Sequence, residues 1–321
     1  MNLSEKEKIK SMFESLIQTH YQGIPGVKCI DSGKEGPNVG VTINTHANEP
    51  SGLITVWSLL HSYKIQEKIT RGKIFFILNN IEATRLYFQS NSFEEKRAHR
   101  FIDVNMNRLP DDWESPKYDE LSEVRRAKKL LPVYQLLDGA IDIHSTENKS
   151  EPMILEIQGE ASEYFKGMHI EKLIRNIVPV QIGIPIGAIY GNRKTTPVFE
   201  IESGSHEDGK AFACAIESTR IFLENTGSIP SDLSIEKNEH PYEVFNVESS
   251  LIFPSSRHRL EKVYPSFYPM KKGEAIAFDQ ELSIYAPFDG HMVLPPAATF
   301  PSDIREEVMF FSSPSQMIDH L

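Results

Sequence analysis

The sequence predicts an α/β protein: a mixed, largely parallel sheet flanked by helices, followed by a smaller β-rich C-terminal domain. Three observations carry that expectation. Short apolar, β-prone runs alternate with helix-like amphipathic stretches over the first two-thirds of the chain. A polar, proline-containing passage then intervenes, and beyond it short strands and turns follow with no helical period. At 321 residues there is room for one large domain and a smaller one.

Taken in order, the opening "MNLSEKEKIKSMFESLIQTHY" places Ile9, Met12, Phe13, Leu16 and Ile17 on one face of an amphipathic helix within residues 1–22. "NVGVTINT" (38–45) is a short strand candidate, and "EPSGLITVWSLLHSYK" (49–64) has a helical apolar face. Pro50 suits a first helical turn, where its missing N–H costs little. "GKIFFILN" (72–79) is a nearly continuous apolar run of the buried-strand kind. "FIDVN" (101–105) and "GAIDIHS" (139–145) are further strand candidates, separated by a helical stretch near 121–138. "TPVFEIESG" (196–204) gives another strand and "EDGKAFACAIESTRIFLEN" (207–225) a helix. The expected division is a large domain over 1–226, a connector over 227–242 and the β-rich domain over 243–321. Turns in that last part are marked by Lys272-Gly273 and Asp289-Gly290.

The formal net charge of -11 excludes general affinity for nucleic acid or an anionic membrane surface, since both need positive charge. No run approaches the ~18 apolar residues that span a bilayer. The start has no apolar core of signal-peptide type, so a cytoplasmic location is expected. Cys29 and Cys214 are the only cysteines, too few for a disulfide framework or a cysteine-rich zinc site. Any metal must be held by histidine and carboxylate. There is no Gly-x-Ser-x-Gly elbow of a serine hydrolase and no phosphate-cradling glycine loop opening a helix.

In open α/β sheets ligands gather at the carboxyl ends of strands. His46 and Glu49 fall directly after "VGVTINT", His144 at the end of "AIDIH", and Glu202 after "TPVFEI". A hydrolytic zinc site takes three protein ligands and leaves a fourth position to water; His46, Glu49 and His144 supply such a set. The plainer readings stand beside this one. With 11 histidines and 45 acids, His-x-x-Glu pairs arise by chance. Glu49 equally suits the start of the helix that Pro50 begins, and His144 alone equally suits a hydrogen-bonded histidine at the core edge. Glu200 and Glu202 share a strand face, so alternation does not separate them. In "RFIDVNMNR" (100–108), Arg100, Asn107 and Arg108 suit a carboxylate, or else form a solvated polar loop.

Together and in this order, "NTHANE" (44–49), "RFIDVNMNR", "DIHST" (142–146) and "ESG" (202–204) resemble the succinylglutamate desuccinylase/aspartoacylase family, a branch of the zinc carboxypeptidase-like hydrolases. The family's forms are Gly-x-His-Gly-Asn-Glu, Arg-Tyr-x-Asp-x-Asp-Leu-Asn-Arg, Asp-Leu-His-Ser/Thr and Glu-x-Gly. The resemblance implies a zinc carboxypeptidase-like fold with one Zn2+ ion on His46, Glu49 and His144. Glu202 would be the general base and then the acid for the leaving nitrogen, with Glu200 structural. Arg100 would polarise the scissile carbonyl and stabilise the oxyanion. Asn107 and Arg108 would grip the carboxylate of the amino-acid part. Arg193 is implied as a further substrate arginine and Tyr268 as a substrate contact from the C-terminal domain.

The implied activity is a zinc-dependent amidohydrolase acting on a small N-acyl amino acid. A zinc carboxypeptidase acting on a peptide C-terminus would use the same ligands and the same carboxylate grip. A non-catalytic homologue would be marked by loss of Glu202 or Arg100, and both are present. Neither nucleic acid nor membrane is an expected partner, and a homo-oligomer is compatible with the sequence. The chain departs from the family at Asn44 and Ala47, which replace the two glycines, and at Asn105, which replaces an aspartate. These bear on loop geometry and substrate preference; no proposed zinc ligand is lost.

Overall fold

A computed structural model describes residues 3–191, 194–232, 237–238, 240–299 and 306–318. Helix α1 (Leu3–Ile17) buries Ile9, Phe13 and Leu16 from one face and ends short of residue 22. A two-residue pairing of β1 (His20–Tyr21) with β2 (Ile24–Pro25) follows. Then come β3 (Val27–Asp31), β4 (Asn38–Ile43), α2 (Ser51–His61), β5 (Lys73–Leu78), α3 (Ile81–Gln89) and α4 (Phe93–Ala98). The next stretch holds α5 (Ser122–Tyr134), β6 (Gly139–Thr146), β7 (Met153–Gln158), α6 (Ser162–Phe165), β8 (Lys172–Arg175), β9 (Val198–Ser205) and α7 (Gly209–Asn225). The remainder is β10 (Tyr242–Leu251), β11 (Arg259–Leu260), β12 (Tyr268–Met270), β13 (Ala275–Phe278), β14 (Ser283–Tyr285), β15 (Gly290–Val293), β16 (Met309–Ser312) and β17 (Gln316–Ile318).

Among the described residues one sheet of 12 strands runs β12-β15-β16-β10-β8-β7-β9-β6-β4-β5-β3, with β17 also on β10; β11-β13-β14 form a separate small sheet. Strands β5, β4, β6 and β9 are mutually parallel, as are β7, β8 and β10. The joins β3–β5 and β7–β9 and the C-terminal pairings are antiparallel. The chain thus forms a mixed sheet flanked by helices, parallel over most of its central strands, with a smaller antiparallel β-rich C-terminal part. Residues 233–236 and 239 of the expected connector lie outside the described residues.

Parallel strands need both faces covered, and the sequence supplies the cover. Leu53, Val56 and Leu59 of α2 meet Val41, Ile141 and Phe199 on one face. Val124, Ala127, Leu130 and Tyr134 of α5, spaced for a helical stripe, meet Phe75 and Ile77 on the other. Each of the leucines, valines, isoleucines and phenylalanines among them contributes about 1.5–3 kcal/mol by leaving water. No helix among the described residues is long and apolar enough to cross a membrane.

One expected strand does not form. In "FIDVN" the N–H groups of Ile102, Asp103 and Val104 donate to the carboxylate of Glu123 at 2.7, 3.0 and 3.2 Å. Glu123 is fully buried on α5. A side chain from a later helix takes the donors that a sheet neighbour would need, and Met106–Arg108 close in a short 3-10 turn.

Candidate metal centre

Strands β4, β6 and β9 end at one edge of the sheet, so residues at or just past their carboxyl ends converge. The chain leaves β4 through Asn44 at φ +52°, a left-handed conformation that asparagine adopts more readily than most residues. Gly52, at the start of α2, lets the helix rest on β4: a Cβ there would stand 2.5 Å from the Ile43 Cβ. The loop between is held short, and His46 and Glu49 are delivered to the strand end. Ala47 is not among the left-handed residues, and its N–H donates to the Arg100 carbonyl at 2.9 Å. Both glycine replacements are accommodated, each for a different reason.

Glu49 sits between two imidazoles. Its Oε1 is 2.8 Å from His46 Nδ1 and its Oε2 is 2.8 Å from His144 Nδ1. None of the three is more than 4% exposed. The β6–β9 register sets Glu202 beside His144 and Glu200 beside Asp142.

Asn105 fixes the tautomer of His46. Its Oδ1 accepts the Asn107 N–H at 2.8 Å, and its Nδ2 donates to Glu306 Oε2 at 3.2 Å. That orientation leaves Oδ1 facing His46 Nε2 at 2.8 Å, so Nε2 carries the proton and Nδ1 offers its lone pair. Burial, reinforced by Arg100, pushes the His46 pKa down to about 4, so the ring is neutral. A bare nitrogen 2.8 Å from a carboxylate oxygen sets two acceptors face to face, and a cation between them reconciles the pair. Arg100 Nη2 already lies 3.1 Å from the same Nδ1.

Behind His144, Asp142 Oδ2 stands 3.4 Å from Nε2. Burial opposes a proton on His144, but the carboxylates of Asp142 and Glu49 outweigh it and hold the ring well above the usual imidazole range. Glu49 is held well below the usual carboxylate range: burial works against its charge, and His46 and His144 overcome it.

The ligand atoms of His46, Glu49 and His144 lie within 4.8 Å of one another. The neutral imidazole of His46, the imidazole of His144, whose Nδ1 proton a cation would displace, and the Glu49 carboxylate make a donor set that fits a zinc-like divalent ion. A second trio, Asp142, His144 and Glu200, meets the same distance and shares His144. There, however, Asp142 already accepts from Thr45 Oγ1 at 2.9 Å and Glu200 from Asn107 Nδ2 at 3.3 Å.

The two strand acids differ in their surroundings. Glu202 Oε2 is buried and has no partner among the described residues, whereas Glu200 is held by Asn107. Burial, with the Glu49 carboxylate adding to it, pushes Glu202 up to about 8. Burial pushes Glu200 up to about 7, with His144 opposing and Asp142 adding. Arg100, Glu202 and the metal trio's His46 and Glu49 face one cleft of about 240 Å3, whose far side is supplied by Leu294, Glu306 and Glu307.

Arg108 and Asn107 also line this cleft, but Arg108 is engaged. Its Nε donates to Glu307 Oε2 at 2.6 Å, and the Glu307 side chain is fully buried. The other Glu307 oxygen accepts the Ile182 N–H. The expected carboxylate grip therefore already holds a carboxylate, and the chain itself provides it.

Tyr268 is not brought to the cleft. It lies on β12, where its hydroxyl donates to Glu274 Oε1 at 3.1 Å and accepts from Lys262 at 3.0 Å. Arg193 lies outside the described residues.

Sequence reasoning missed Asp142, His206, Glu306 and Glu307, and it read Asn105 only as a lost charge. Asp142 had a signal, since it shares a strand face with His144 two residues on. His206, which contacts Ser145 Oγ at 2.8 Å and Asn48 Nδ2 at 3.2 Å, had no local signal.

Residues 35–174 match the profile of the succinylglutamate desuccinylase/aspartoacylase catalytic domain. No curated protein matches the sequence. Among solved structures, the chain is similar to a succinylglutamate desuccinylase/aspartoacylase from Rhodobacter sphaeroides, with TM-score 0.63 and 13% identity, covering 91% of this chain and 88% of that one. It is similar to a succinylglutamate desuccinylase from Vibrio cholerae at TM-score 0.63 and 14% identity, over 88% and 82% of the two chains. It is also similar to the product-bound ectoine utilization protein EutE (DoeB) from Ruegeria pomeroyi, at TM-score 0.59 and 16% identity, over 92% and 88%. At these identities the likeness concerns the fold. The chain thus has the fold of these structures over most of its length, and over residues 35–174 it is similar to the catalytic domain of the succinylglutamate desuccinylase/aspartoacylase family.

Proposed function

We propose that this protein is a zinc-dependent amidohydrolase that removes the acyl group from a small N-acyl amino acid. The observation that carries the reading is the pair of imidazole nitrogens turned onto the two oxygens of one buried carboxylate, His46 and His144 about Glu49. Bound to these three residues, a zinc ion supplies Lewis acidity and makes a coordinated water acidic near neutral pH.

The chain's own groups do the rest. Glu202, with a buried and unpartnered oxygen, takes the proton of the attacking water and passes it to the leaving nitrogen. Arg100, beside His46, donates to the oxygen that gains charge in the tetrahedral intermediate. Glu200, tied to Asn107, holds that side chain at the cleft wall. The amino-acid carboxylate pairs with Arg108 by exchanging places with Glu307. Tyr268 takes no part, because its hydroxyl is committed to Glu274 and Lys262.

The test is a panel of N-acetyl, N-succinyl and other N-acyl amino acids offered to the zinc-loaded protein, beside peptides of two to five residues. Turnover of one or more N-acyl amino acids, with peptides untouched, is expected. Zinc-loaded protein that cleaves none of them contradicts the proposal, and preference for peptides replaces it with carboxypeptidase action.

A further inference from the structure

We propose that a second pocket, behind the metal-binding loop, binds a small organic anion. The loop after β4 has two sides. His46, Asn48 and Glu49 line the cleft described above, whereas Asn44, Ala47 and Pro50 line a separate cavity of about 230 Å3. Helices α1, α3 and α4 close this cavity with Lys6, Lys10, Phe88 and Lys96. An apolar cavity of ~150 Å3 holds benzene, so this space takes a compact organic molecule and not a polymer.

Asn44 supplies the first indication of a ligand. It is 1% exposed, and neither Oδ1 nor Nδ2 has a hydrogen-bond partner among the described residues. Glycine meets the left-handed φ of this position without burying an amide, so the unpartnered amide is what asparagine adds here. Burial of such a group without partners is unfavourable, and a ligand with one donor and one acceptor relieves it.

Charge supplies the second. Among the described lining residues, Lys6, Lys10 and Lys96 stand against a single acid, Glu7. None of the three lysines has a carboxylate within ion-pair distance among the described residues; Lys96 lies 5.9 Å over the Tyr87 ring. On a chain of net charge -11, this is a local excess of positive charge around a concave surface, which attracts an anion.

Ile9, Leu53 and Phe88 add apolar wall to the same cavity, beside polar Ser90 and Asn91. The ligand class that satisfies all three is a short aliphatic carboxylate ending in an amide or hydroxyl group. Its anionic head meets the lysines, its methylenes meet the apolar wall, and its neutral polar end pairs with Asn44. A molecule so placed touches Ala47 and Pro50, the chain neighbours of His46 and Glu49. The proposal does not rest on the reaction assigned to the cleft.

Titration calorimetry of the full chain with glutaramate and 4-hydroxybutyrate tests it, with uncharged glutaramide as the control. Saturable one-to-one binding of at least one acid is expected, and none of glutaramide. Affinity should fall ten-fold or more, about 1.4 kcal/mol, in both Asn44→Gly and Lys10→Ala. It should persist in Arg100→Ala, which alters only the cleft. Asn44→Gly keeps the left-handed turn, and circular dichroism checks that both variants fold. Absence of binding by both acids, or binding that survives either Asn44→Gly or Lys10→Ala, or binding lost in Arg100→Ala, overturns the proposal.

Discussion

Replacing Asn105 by alanine is expected to weaken zinc binding while leaving the chain folded. The Asn105 Oδ1 to His46 Nε2 contact is 2.8 Å long, and the two residues are 3% and 4% exposed. Without that acceptor, His46 is free to carry its proton on Nδ1, the nitrogen that faces Glu49. A buried hydrogen bond of this kind contributes about 1–3 kcal/mol. At about 1.4 kcal/mol per factor of ten, that is roughly 5- to 150-fold in affinity. Partners behind ligating histidines usually matter by about 10–100-fold, in the same range. Competition with a chromophoric chelator near neutral pH measures the change, with circular dichroism as the check on folding. Asn107→Ala is the control, because the Asn107 amide faces Glu200 and not His46. Zinc affinity within about two-fold of the parent in folded Asn105→Ala would refute the role given to Asn105.

The other expectations follow from the same geometry. Glu202→Gln should lower kcat by about 10²–10⁴ with zinc content unchanged, as read by steady-state kinetics and metal analysis; unchanged turnover moves the base to another residue, with Glu200→Gln the next variant to assay. Glu307→Gln should lower KM about ten-fold for substrates that present a carboxylate, because Arg108 no longer has an internal carboxylate to exchange. The same variant should melt earlier, since breaking one side of a buried pair costs up to about 3–5 kcal/mol; a KM that rises instead places the substrate carboxylate elsewhere. Glu123→Ala should destabilise the chain by several kcal/mol in urea unfolding, at about 1–3 kcal/mol for each of the N–H groups it leaves unmet, and a change below about 1 kcal/mol contradicts that accounting.

Much of the fold was legible because its core strands and helices advertise themselves locally. The apolar runs of β4, β5, β6 and β9 and the amphipathic stretch of α7 need no distant partner to be recognised. The proposed ligands were legible for a related reason: each lies at or just past the carboxyl end of a strand, and parallel strands bring such positions to one edge. What escaped depends on contacts between distant segments. "FIDVN" has strand composition, but Glu123 from α5 takes its N–H groups. Arg108 reads as a free carboxylate grip until Glu307, remote in sequence, is folded against it. Asn105 looked like a lost charge, and only its contact with His46 Nε2 reveals that the acceptor an aspartate would offer is kept.

The proposed function requires His46, Glu49 and His144 to hold one metal ion. Anomalous diffraction at the zinc edge, from crystals of the zinc-loaded protein, tests it most directly. One strong peak is expected about 2.0–2.2 Å from His46 Nδ1, the Glu49 carboxylate and His144 Nδ1. A peak on Asp142, His144 Nε2 and Glu200 instead, or no peak at either trio, would contradict it.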